Sequence, residues 1–435
     1  MSIRRTALET LMEITDKGAY ANLTLKEALR GLDERDAKWV SAAVYTALDH
    51  LLYIDHVIAA YARGSIKPQI RGILRLGVCQ LLYMGVPDSA ACNESVKLAK
   101  EIGKGALSGF VNGVMRNICR NKDCLPPLPE EPVRRLSIQY SYPEYLVKEY
   151  VGQYGAGFTE AMLSAMGGPG CMTVRAQYPY TSEQLEAALR ERGIGFSRGS
   201  IVEDAFKIEK GFDVTKEPLF TEGKITVQSE SAMLVCRALE PKEGMCILDV
   251  CAAPGGKSAY IASMTKGGAV IDAWELHPHR AELMKRTFER LGVRANVSVE
   301  DGTVRKPELC GKYDAVLIDA PCSGLGVPGK PDARYAKTDG IIDEIAEVQK
   351  RLLDACADYV KPGGVLLYAT CTISKRENEE QIRGFMERNG CFEKGVLSGC
   401  IPKDMWKRLY GGFMLQLFPH TDNTEGFFLA KMIRR

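Results

Sequence analysis

The chain has 435 residues, more than one hydrophobic core usually serves, so two or three domains are expected. Lysine and arginine number 57 against 55 acidic residues, and this net charge of +2 argues against a generally basic nucleic-acid or membrane-surface binder. The hydrophobic fraction of 46% excludes a disordered chain. No signal peptide is recognised, and no window approaches about 18 uncharged apolar residues, so a cytoplasmic protein without membrane contact is expected.

Fourteen cysteines are the unusual feature of the composition. A disulfide framework belongs to small secreted chains, which this is not. Zinc sites use paired CxxC spacing or clusters with histidine, and the chain has no CxxC pair and only five histidines. We therefore expect no metal site and predict that most of these thiols are reduced and buried.

The first 124 residues have the apolar periodicity of helices. Ile70, Ile73, Leu74 and Leu81, for example, fall on one face of a helix, and nothing in this stretch alternates like a strand. The pattern predicts an all-α helical bundle over residues 1–124.

Four prolines then interrupt the chain, and they exclude helix or central strand over most of residues 125–136, which we interpret as a stiff linker. Residues 137–227 combine helical stretches with short strands, including a predicted strand over 171–176 and a helix over 182–192. This segment is predicted to be a small α+β module.

From residue 228 to 435, short apolar runs alternate with amphipathic helices. This alternation predicts an α/β domain with a parallel sheet covered on both faces. Two late strands, near 412–418 and 427–432, are predicted to form an antiparallel edge. The predicted strands before them lie near residues 246–250, 269–274, 296–299, 315–318 and 365–368.

The first of these strands leads into Asp249 and a turn of small residues that ends at Ser258. The turn matches neither the dinucleotide motif GxGxxG nor the phosphate loop GxxxxGK[ST]. Glu275, Asp301 and Asp319 close the next three strands, where they could bind ribose hydroxyls, an adenine amino group and a positive charge. Glycine turns and acidic caps are common in such folds, but their order here favours S-adenosylmethionine, a nucleoside with a cationic sulfonium.

Cys322 follows the fourth strand and Cys371 ends the fifth, both at the sheet edge where ligands bind. A thiolate that adds to carbon 6 of cytosine makes carbon 5 nucleophilic enough to accept a methyl group. Asp319 is placed to protonate ring nitrogen 3. A second cysteine could then help to expel the enzyme from the methylated adduct.

The chain resembles the RsmB (Sun, or Fmu) family of ribosomal RNA cytosine-5 methyltransferases. The motifs are DVCAAPGGK at 249–257, YDAVLIDAPCSG at 313–324, YATCTISKRENEEQI at 368–382 and EGFFLAKMIR at 425–434. The resemblance covers the whole chain, because residues 1–124 resemble the NusB-like domain of that family. It implies a ferredoxin-like or RNA-recognition-like module over 137–227 and a Rossmann-like class I methyltransferase domain over 228–435.

By this resemblance Cys371 is the nucleophile and Cys322 promotes product release. It also implies a cytoplasmic monomer that acts on 16S ribosomal RNA and not on DNA. The cofactor residues that it implies are Cys251, Ala252, Ala253, Pro254, Gly255, Gly256, Lys257, Glu275, Asp301 and Asp319.

Two positions depart from the family pattern. Glu275 stands where relatives often have aspartate, and either carboxylate can bind a ribose diol. Residues 328–330 replace an expected pair of arginines, while Arg334 and Tyr335 follow as in the family, so an RNA-gripping loop with less charge is predicted.

The near-neutral total charge conceals a basic stretch. Residues 63–122 contain ten lysines and arginines against three acids, a net +7, whereas residues 1–62 carry a net −2. We interpret the stretch as an RNA-binding face, although a solvated helix face would look similar. A transfer RNA cytosine-5 methyltransferase and a non-catalytic RNA-binding assembly factor are the alternative functions, and Cys371 argues against a DNA cytosine methyltransferase.

Overall fold

A computed structural model describes residues 2–167, 170, 172–209, 212–329, 331, 334–335 and 339–435. The chain divides into two compact units, one of residues 1–168 with 328–338 and one of residues 169–327 with 339–435. The helices of residues 132–165 therefore group with the N-terminal helices, whereas the sequence analysis assigns residues 137–165 to the middle module. The domain boundaries proposed from the sequence remain a prediction.

The first unit is helical, as predicted. Asp33 Oδ1 accepts a hydrogen bond from the Asp36 N–H at 2.8 Å and so caps α3, and Gly18 ends α1 with φ of 69°. Ile70, Ile73 and Leu74 of α5 are buried, as their spacing predicts. The helices are α1 Ile3–Lys17, α2 Ala21–Ala28, α3 Glu34–Asp49, α4 Leu51–Tyr61, α5 Pro68–Leu82, α6 Asp88–Glu101, α7 Ser108–Arg120, α8 Pro132–Tyr140, α9 Glu144–Tyr154 and α10 Ala156–Ala165.

The second unit begins with a small antiparallel sheet of order β2-β3-β1-β4, which fits the predicted α+β module. Leu185 and Leu189 of its helix α11 are buried in one apolar cluster with Val174 and Phe206 from the strands. The elements are β1 Met172–Ala176, α11 Ser182–Glu191, β2 Phe196–Arg198, β3 Phe206–Ile208, α12 Pro218–Thr221 and β4 Ile225–Val227.

A larger sheet of order β10-β12-β9-β8-β5-β6-β7 forms the rest of this unit, and β11 pairs with β12. Strands β5 to β9 are parallel, and β12 runs antiparallel to β9 and β11, as predicted for this edge. The elements are α13 Glu230–Ala238, β5 Cys246–Asp249, α14 Gly256–Met264, β6 Val270–Glu275, α15 Pro278–Leu291, β7 Asn296–Val299, β8 Tyr313–Asp319, α16 Asp339–Cys356, β9 Val360–Thr370, α17 Glu379–Arg388, β10 Phe392–Lys394, β11 Met414–Leu417, α18 Pro419–Asp422 and β12 Phe427–Arg434.

The alternation of side chains along the strands builds a core on each face of this sheet. Ile247 and Leu317 belong to one buried cluster, while Leu248 and Val316 belong to the other. Strand order reverses between β5 and β8, because the chain proceeds from β5 to β7 on one side and from β8 to β9 on the other. This switch point is where parallel sheets open a crevice for ligands.

Candidate active site

The carboxyl ends of the parallel strands bring most of the predicted site residues to one edge of the sheet. Asp249, Glu275 and Asp319 are the last residues of β5, β6 and β8, and Asp301 lies two residues beyond β7. Cys371 directly follows β9. This placement agrees with the order in which the sequence analysis assigned them.

A cavity of about 270 Å³ opens at this edge. The predicted residues Cys251, Ala253, Glu275, Asp301, Asp319, Cys322 and Cys371 line it, whereas Ala252, Pro254, Gly255, Gly256 and Lys257 are not among its lining residues. Other lining residues were not predicted from the sequence, and they include Leu276, His277, Arg280, Gly302, Thr303, Val348 and Leu352. Leu276 and His277 adjoin Glu275 in sequence and could have been found, but Val348 and Leu352 come from the distant helix α16.

Two glycines in the turns near the cavity stand where a side chain would collide with its neighbours. Gly255 has φ of 99°, and a Cβ there would lie 2.7 Å from Phe288 Cε1. A Cβ on Gly302 would lie 2.5 Å from Val250 Cγ1 and 2.8 Å from Leu352 Cδ2. The turn after β5 and the turn after β7 therefore need glycine to keep this close packing.

Two carboxylates of the cavity are held in place by neighbouring donors. Glu275 is buried, and its Oε1 accepts from the His277 N–H at 3.0 Å, while Arg280 Nη1 lies 3.2 Å from Oε2. Asp301 Oδ1 accepts from the Thr303 hydroxyl at 2.7 Å and from the Thr303 N–H at 2.9 Å. These two hydrogen bonds lower the pKa of Asp301. Both groups retain free acceptor positions for a ligand.

Lys257 and Asp319 form an ion pair beside the cavity, with 2.5 Å between Lys257 Nζ and Asp319 Oδ2. Burial opposes a charge on the lysine, but the Asp319 carboxylate outweighs it and raises the pKa of Lys257. Lys257 Nζ also lies 5.4 Å from the centre of the Phe427 ring. The ammonium group is therefore the proton-bearing member of this pair.

Asp249 is the most deeply buried of the four strand-end carboxyl groups Asp249, Glu275, Asp301 and Asp319. Its Oδ2 accepts from the Ser258 hydroxyl at 2.6 Å, and Oδ1 has no hydrogen-bond partner within the described part of the chain. Burial raises the pKa of Asp249 to about 7, even though the Ser258 hydrogen bond opposes this shift.

The two predicted catalytic cysteines meet in the structure. Cys322 Sγ lies 3.3 Å from Cys371 Sγ, because β8 and β9 are paired and parallel. The hydrogen bond with Cys371, followed by burial, raises the pKa of Cys322 well above the ordinary thiol range. The thirteen cysteines of the described residues are all free thiols, but only four are buried, so burial is less general than expected.

Arg334, which belongs to the predicted RNA-gripping loop, contacts residues of the helical unit. It is buried in the helical unit, 3.2 Å from Asp49 through Nη2 and 4.3 Å above the Tyr142 ring. The Tyr335 hydroxyl donates to backbone carbonyls of the same unit. The RNA-gripping role of this loop stays a prediction, and Lys330 lies outside the described residues.

The basic stretch of the helical unit is partly neutralised by ion pairs. Arg75, Lys97 and Lys122 pair with Asp55, Glu94 and Asp88. Glu101 accepts hydrogen bonds from Ser2. The remaining basic residues make no ion pair with any described residue: Arg63, Lys67, Arg71, Lys100, Lys104, Arg116 and Arg120.

No helix among the described residues is long and apolar enough to cross a membrane. No group of three or more histidine, cysteine, aspartate or glutamate side chains among them is arranged to hold a metal ion.

The raised pKa of Asp249 predicts a pH-dependent stability. The native state binds this proton more tightly than the unfolded chain, so the free energy of unfolding should fall as pH rises from about 4 to about 7. Asp249→Asn replaces the carboxylate with a neutral group of the same shape. We expect the variant to have a higher melting temperature than the wild type at pH 8 and a similar one at pH 4.

Asp272→Asn is the matched control, because hydrogen bonds from Asn296, Tyr313 and Lys312 outweigh burial and lower the pKa of Asp272. This variant should melt at a lower temperature than the wild type at pH 8. Thermal unfolding followed by circular dichroism measures both variants. Equal destabilisation of the two at pH 8 would show that Asp249 is ionised without penalty.

Comparison with known proteins agrees with this architecture. Residues 236–433 match the family model of the 16S rRNA methyltransferase RsmB/F, and residues 1–120 match the NusB family. The chain is 35% identical to a probable ribosomal RNA small subunit methyltransferase B of Bacillus subtilis (strain 168), over 100% of this chain and 99% of the relative. It is 29% identical to a ribosomal RNA small subunit methyltransferase B of Vibrio cholerae, over 100% and 98%.

Solved structures agree in fold. The crystal structure of PH0851 superposes with a TM-score of 0.79 at 24% identity and covers 100% of both chains. NSun6 from Pyrococcus horikoshii, solved with SFG, has a TM-score of 0.58 at 22% identity, over 67% of this chain and 98% of that chain. The predicted family, fold class and enzyme class are thereby confirmed: the chain belongs to the 16S rRNA methyltransferase RsmB/F family and carries a NusB-family domain at its N-terminus.

Proposed function

We propose that the protein methylates carbon 5 of one cytidine in 16S ribosomal RNA, with S-adenosylmethionine as methyl donor and a covalent cysteine–cytosine adduct as intermediate. The observation that carries this proposal is the Cys322–Cys371 pair, with 3.3 Å between the sulfurs, on the wall of the cavity that Glu275, Asp301 and Asp319 also line. One thiol to attack the ring and a second to assist release are what the chemistry requires.

The side chains that line the cavity offer the acceptor groups and the apolar surface that S-adenosylmethionine requires. Glu275 is suited to accept both ribose hydroxyls, Asp301 an adenine amino group, and Leu276, which is 54% exposed, offers an apolar surface to the base. The turn from Cys251 to Lys257 would hold the remainder, and the unpartnered Asp249 Oδ1 lies at its base. Bound S-adenosylmethionine supplies a methyl group on positively charged sulfur, and the archaeal NSun6 was solved with SFG, an analogue of it.

The Cys371 thiolate is the proposed nucleophile. Its sulfur adds to carbon 6 of the cytosine, and carbon 5 of the resulting enamine takes the methyl group. The carbon 5 proton is then removed and the bond between carbon 6 and sulfur breaks, which returns the Cys371 thiolate and restores the aromatic ring. This release step is assigned to Cys322.

The environment of Cys322 supports this division of roles. In the free enzyme its raised pKa keeps the proton on Cys322, which can donate a hydrogen bond to the Cys371 thiolate. When Cys371 becomes bonded to carbon 6, its sulfur is no longer a thiolate that competes for the proton of Cys322. Cys322 then lies beside the adduct as the group proposed to promote release.

Stabilisation of protonated ring nitrogen 3 is assigned to Asp319. Asp319 accepts a hydrogen bond from the Lys257 ammonium group at 2.5 Å, which fixes the position of its carboxylate. We propose that Asp319 contacts nitrogen 3 and stabilises the positive charge when this nitrogen takes up a proton from solvent, while Lys257 orients Asp319. Both residues stand in motifs of the resemblance, at 249–257 and 313–324.

The RNA partner is proposed from the helical unit and from the relatives. Seven basic residues of the 63–122 stretch have no ion-pair partner within the described residues and can contact phosphates. The relatives from B. subtilis and V. cholerae are named for small-subunit ribosomal RNA, which favours this substrate over transfer RNA. A cytoplasmic monomer that acts on RNA and not on DNA completes the proposal.

Mapping of 5-methylcytidine tests the substrate. Bisulfite sequencing of ribosomal RNA from cells with and without the protein should show one cytidine of the small-subunit RNA that loses its methyl group. Restoration by the wild type but not by Cys371→Ala is the control. Loss of a transfer RNA methylation would favour the alternative enzyme, and an unchanged map would contradict the proposal.

Each cysteine should give a distinct product with substrate RNA. Cys322→Ala should accumulate a covalent protein–RNA complex on denaturing gels, because release is blocked after attack. Cys371→Ala should form none, and Cys124→Ala, at an exposed cysteine, should behave as the wild type. A complex from Cys371→Ala and none from Cys322→Ala would reverse the assignment.

The cofactor assignment predicts a loss of affinity at Glu275. Glu275→Ala removes charge-assisted hydrogen bonds to the ribose and should weaken S-adenosylmethionine binding at least about tenfold in a calorimetric titration. Glu275→Asp should bind within a few-fold of the wild type, since either carboxylate can reach a diol. Glu282→Ala, on the exposed face of α15, is the control, and unchanged binding by Glu275→Ala would refute the assignment.

A further inference from the structure

Glu377 is a fully buried carboxylate near Cys322 and Cys371. It has no role in the proposed chemistry described above. It lies between β9 and α17, has 0% exposed surface, and does not line the cofactor cavity. It forms no ion pair with any described residue. A carboxylate without a counter-charge is costly to bury, so its hydrogen bonds must offset this cost.

Those hydrogen bonds come from the residue that follows each cysteine and from Gln349 of α16. Glu377 Oε1 accepts from the Ser323 hydroxyl at 2.5 Å and from the Thr372 hydroxyl at 3.3 Å. Oε2 accepts from the Ser323 N–H at 2.8 Å and from the Gln349 amide at 3.2 Å. Ser323 follows Cys322 and Thr372 follows Cys371, so one carboxylate binds the residue next to each thiol.

The adjacent Asn378 also hydrogen-bonds to the residues on either side of Cys371. Its Nδ2 donates to the Thr372 carbonyl at 3.0 Å, and its Oδ1 accepts from the Thr370 hydroxyl at 2.5 Å. The residues on both sides of Cys371 are therefore anchored. Glu377, unlike Asn378, also binds Ser323, whose hydroxyl lies 2.8 Å from the Thr372 hydroxyl.

We propose that Glu377 is a positioning residue that holds the Cys322 and Cys371 thiols at reacting distance. The inference rests on the proposed function, because it assigns a purpose to the separation of the two sulfurs. Glutamine keeps the shape of this carboxylate but not its charge, so the hydrogen bonds that Ser323, Thr372 and Gln349 make to this side chain should become weaker. The charge of Glu377 also contributes to the raised pKa of Cys322.

A bifunctional thiol alkylator tests the positioning without RNA or cofactor. The bridge between Cys322 and Cys371 is quantified by peptide mass spectrometry against the bridge between Cys92 and Cys119, whose sulfurs lie 3.5 Å apart in the helical unit. Glu377→Gln should lower this ratio about tenfold, as expected for loss of hydrogen bonds to a charged group. Glu379→Gln, at a buried glutamate two residues along with no hydrogen bond to Ser323 or Thr372, should leave it unchanged. An unchanged ratio in Glu377→Gln overturns the proposal.

The role in the reaction is measured in the Cys322→Ala background. Adding Glu377→Gln should slow formation of the covalent RNA complex about tenfold, while the affinity for S-adenosylmethionine stays within about twofold. An equal rate in both variants overturns the proposal and leaves the cysteine roles intact. No complex from Cys322→Ala alone contradicts the proposed function instead, and the bridging ratio still decides the positioning. If Glu377→Gln melts below Glu379→Gln, Ser323→Ala takes its place and should lower both readouts.

Discussion

The parallel pairing of β8 with β9 is the constraint on which the active site depends. Asp319 at the end of β8 lies opposite Ala369 near the end of β9, so the segments that follow both strands leave the sheet side by side. Cys322 and Cys371, 49 residues apart in sequence, are brought to a sulfur–sulfur distance of 3.3 Å by this pairing. Antiparallel strands would place the two ends at opposite edges, and neither thiol could then assist the other.

Four carboxyl groups lie at this edge of the sheet, and each has a different environment. Asp319 is paired with Lys257, Glu275 with Arg280, and Asp301 is held by the Thr303 hydroxyl and N–H. Asp249 forms no ion pair with any described residue, and burial raises its pKa. The carboxyl groups held by a cation or by Thr303 thus line the cavity, whereas Asp249, held by the Ser258 hydroxyl, does not.

The elements of regular structure followed from local patterns. The alternation of apolar runs with amphipathic helices predicted β5 to β9 in order, and the spacing of Ile70, Ile73 and Leu74 predicted the buried face of α5. Strand β9 begins at Val360, five residues before the predicted run. The prediction missed this first part because Pro362 and Gly363 are typical turn residues. Pairing with β8 at Tyr313 holds that part in the sheet.

The sequence by itself determined the kinds of domain, the glycine turn, the strand-end acids and the two cysteines worth attention, because all of these are encoded in short stretches of chain. Only the tertiary structure decided which groups touch. It placed Arg334 against Asp49, Lys257 on Asp319, and Glu377 between the residues next to both thiols. Contacts of this kind join residues far apart in sequence, and neither periodicity nor motif spacing carries information about them.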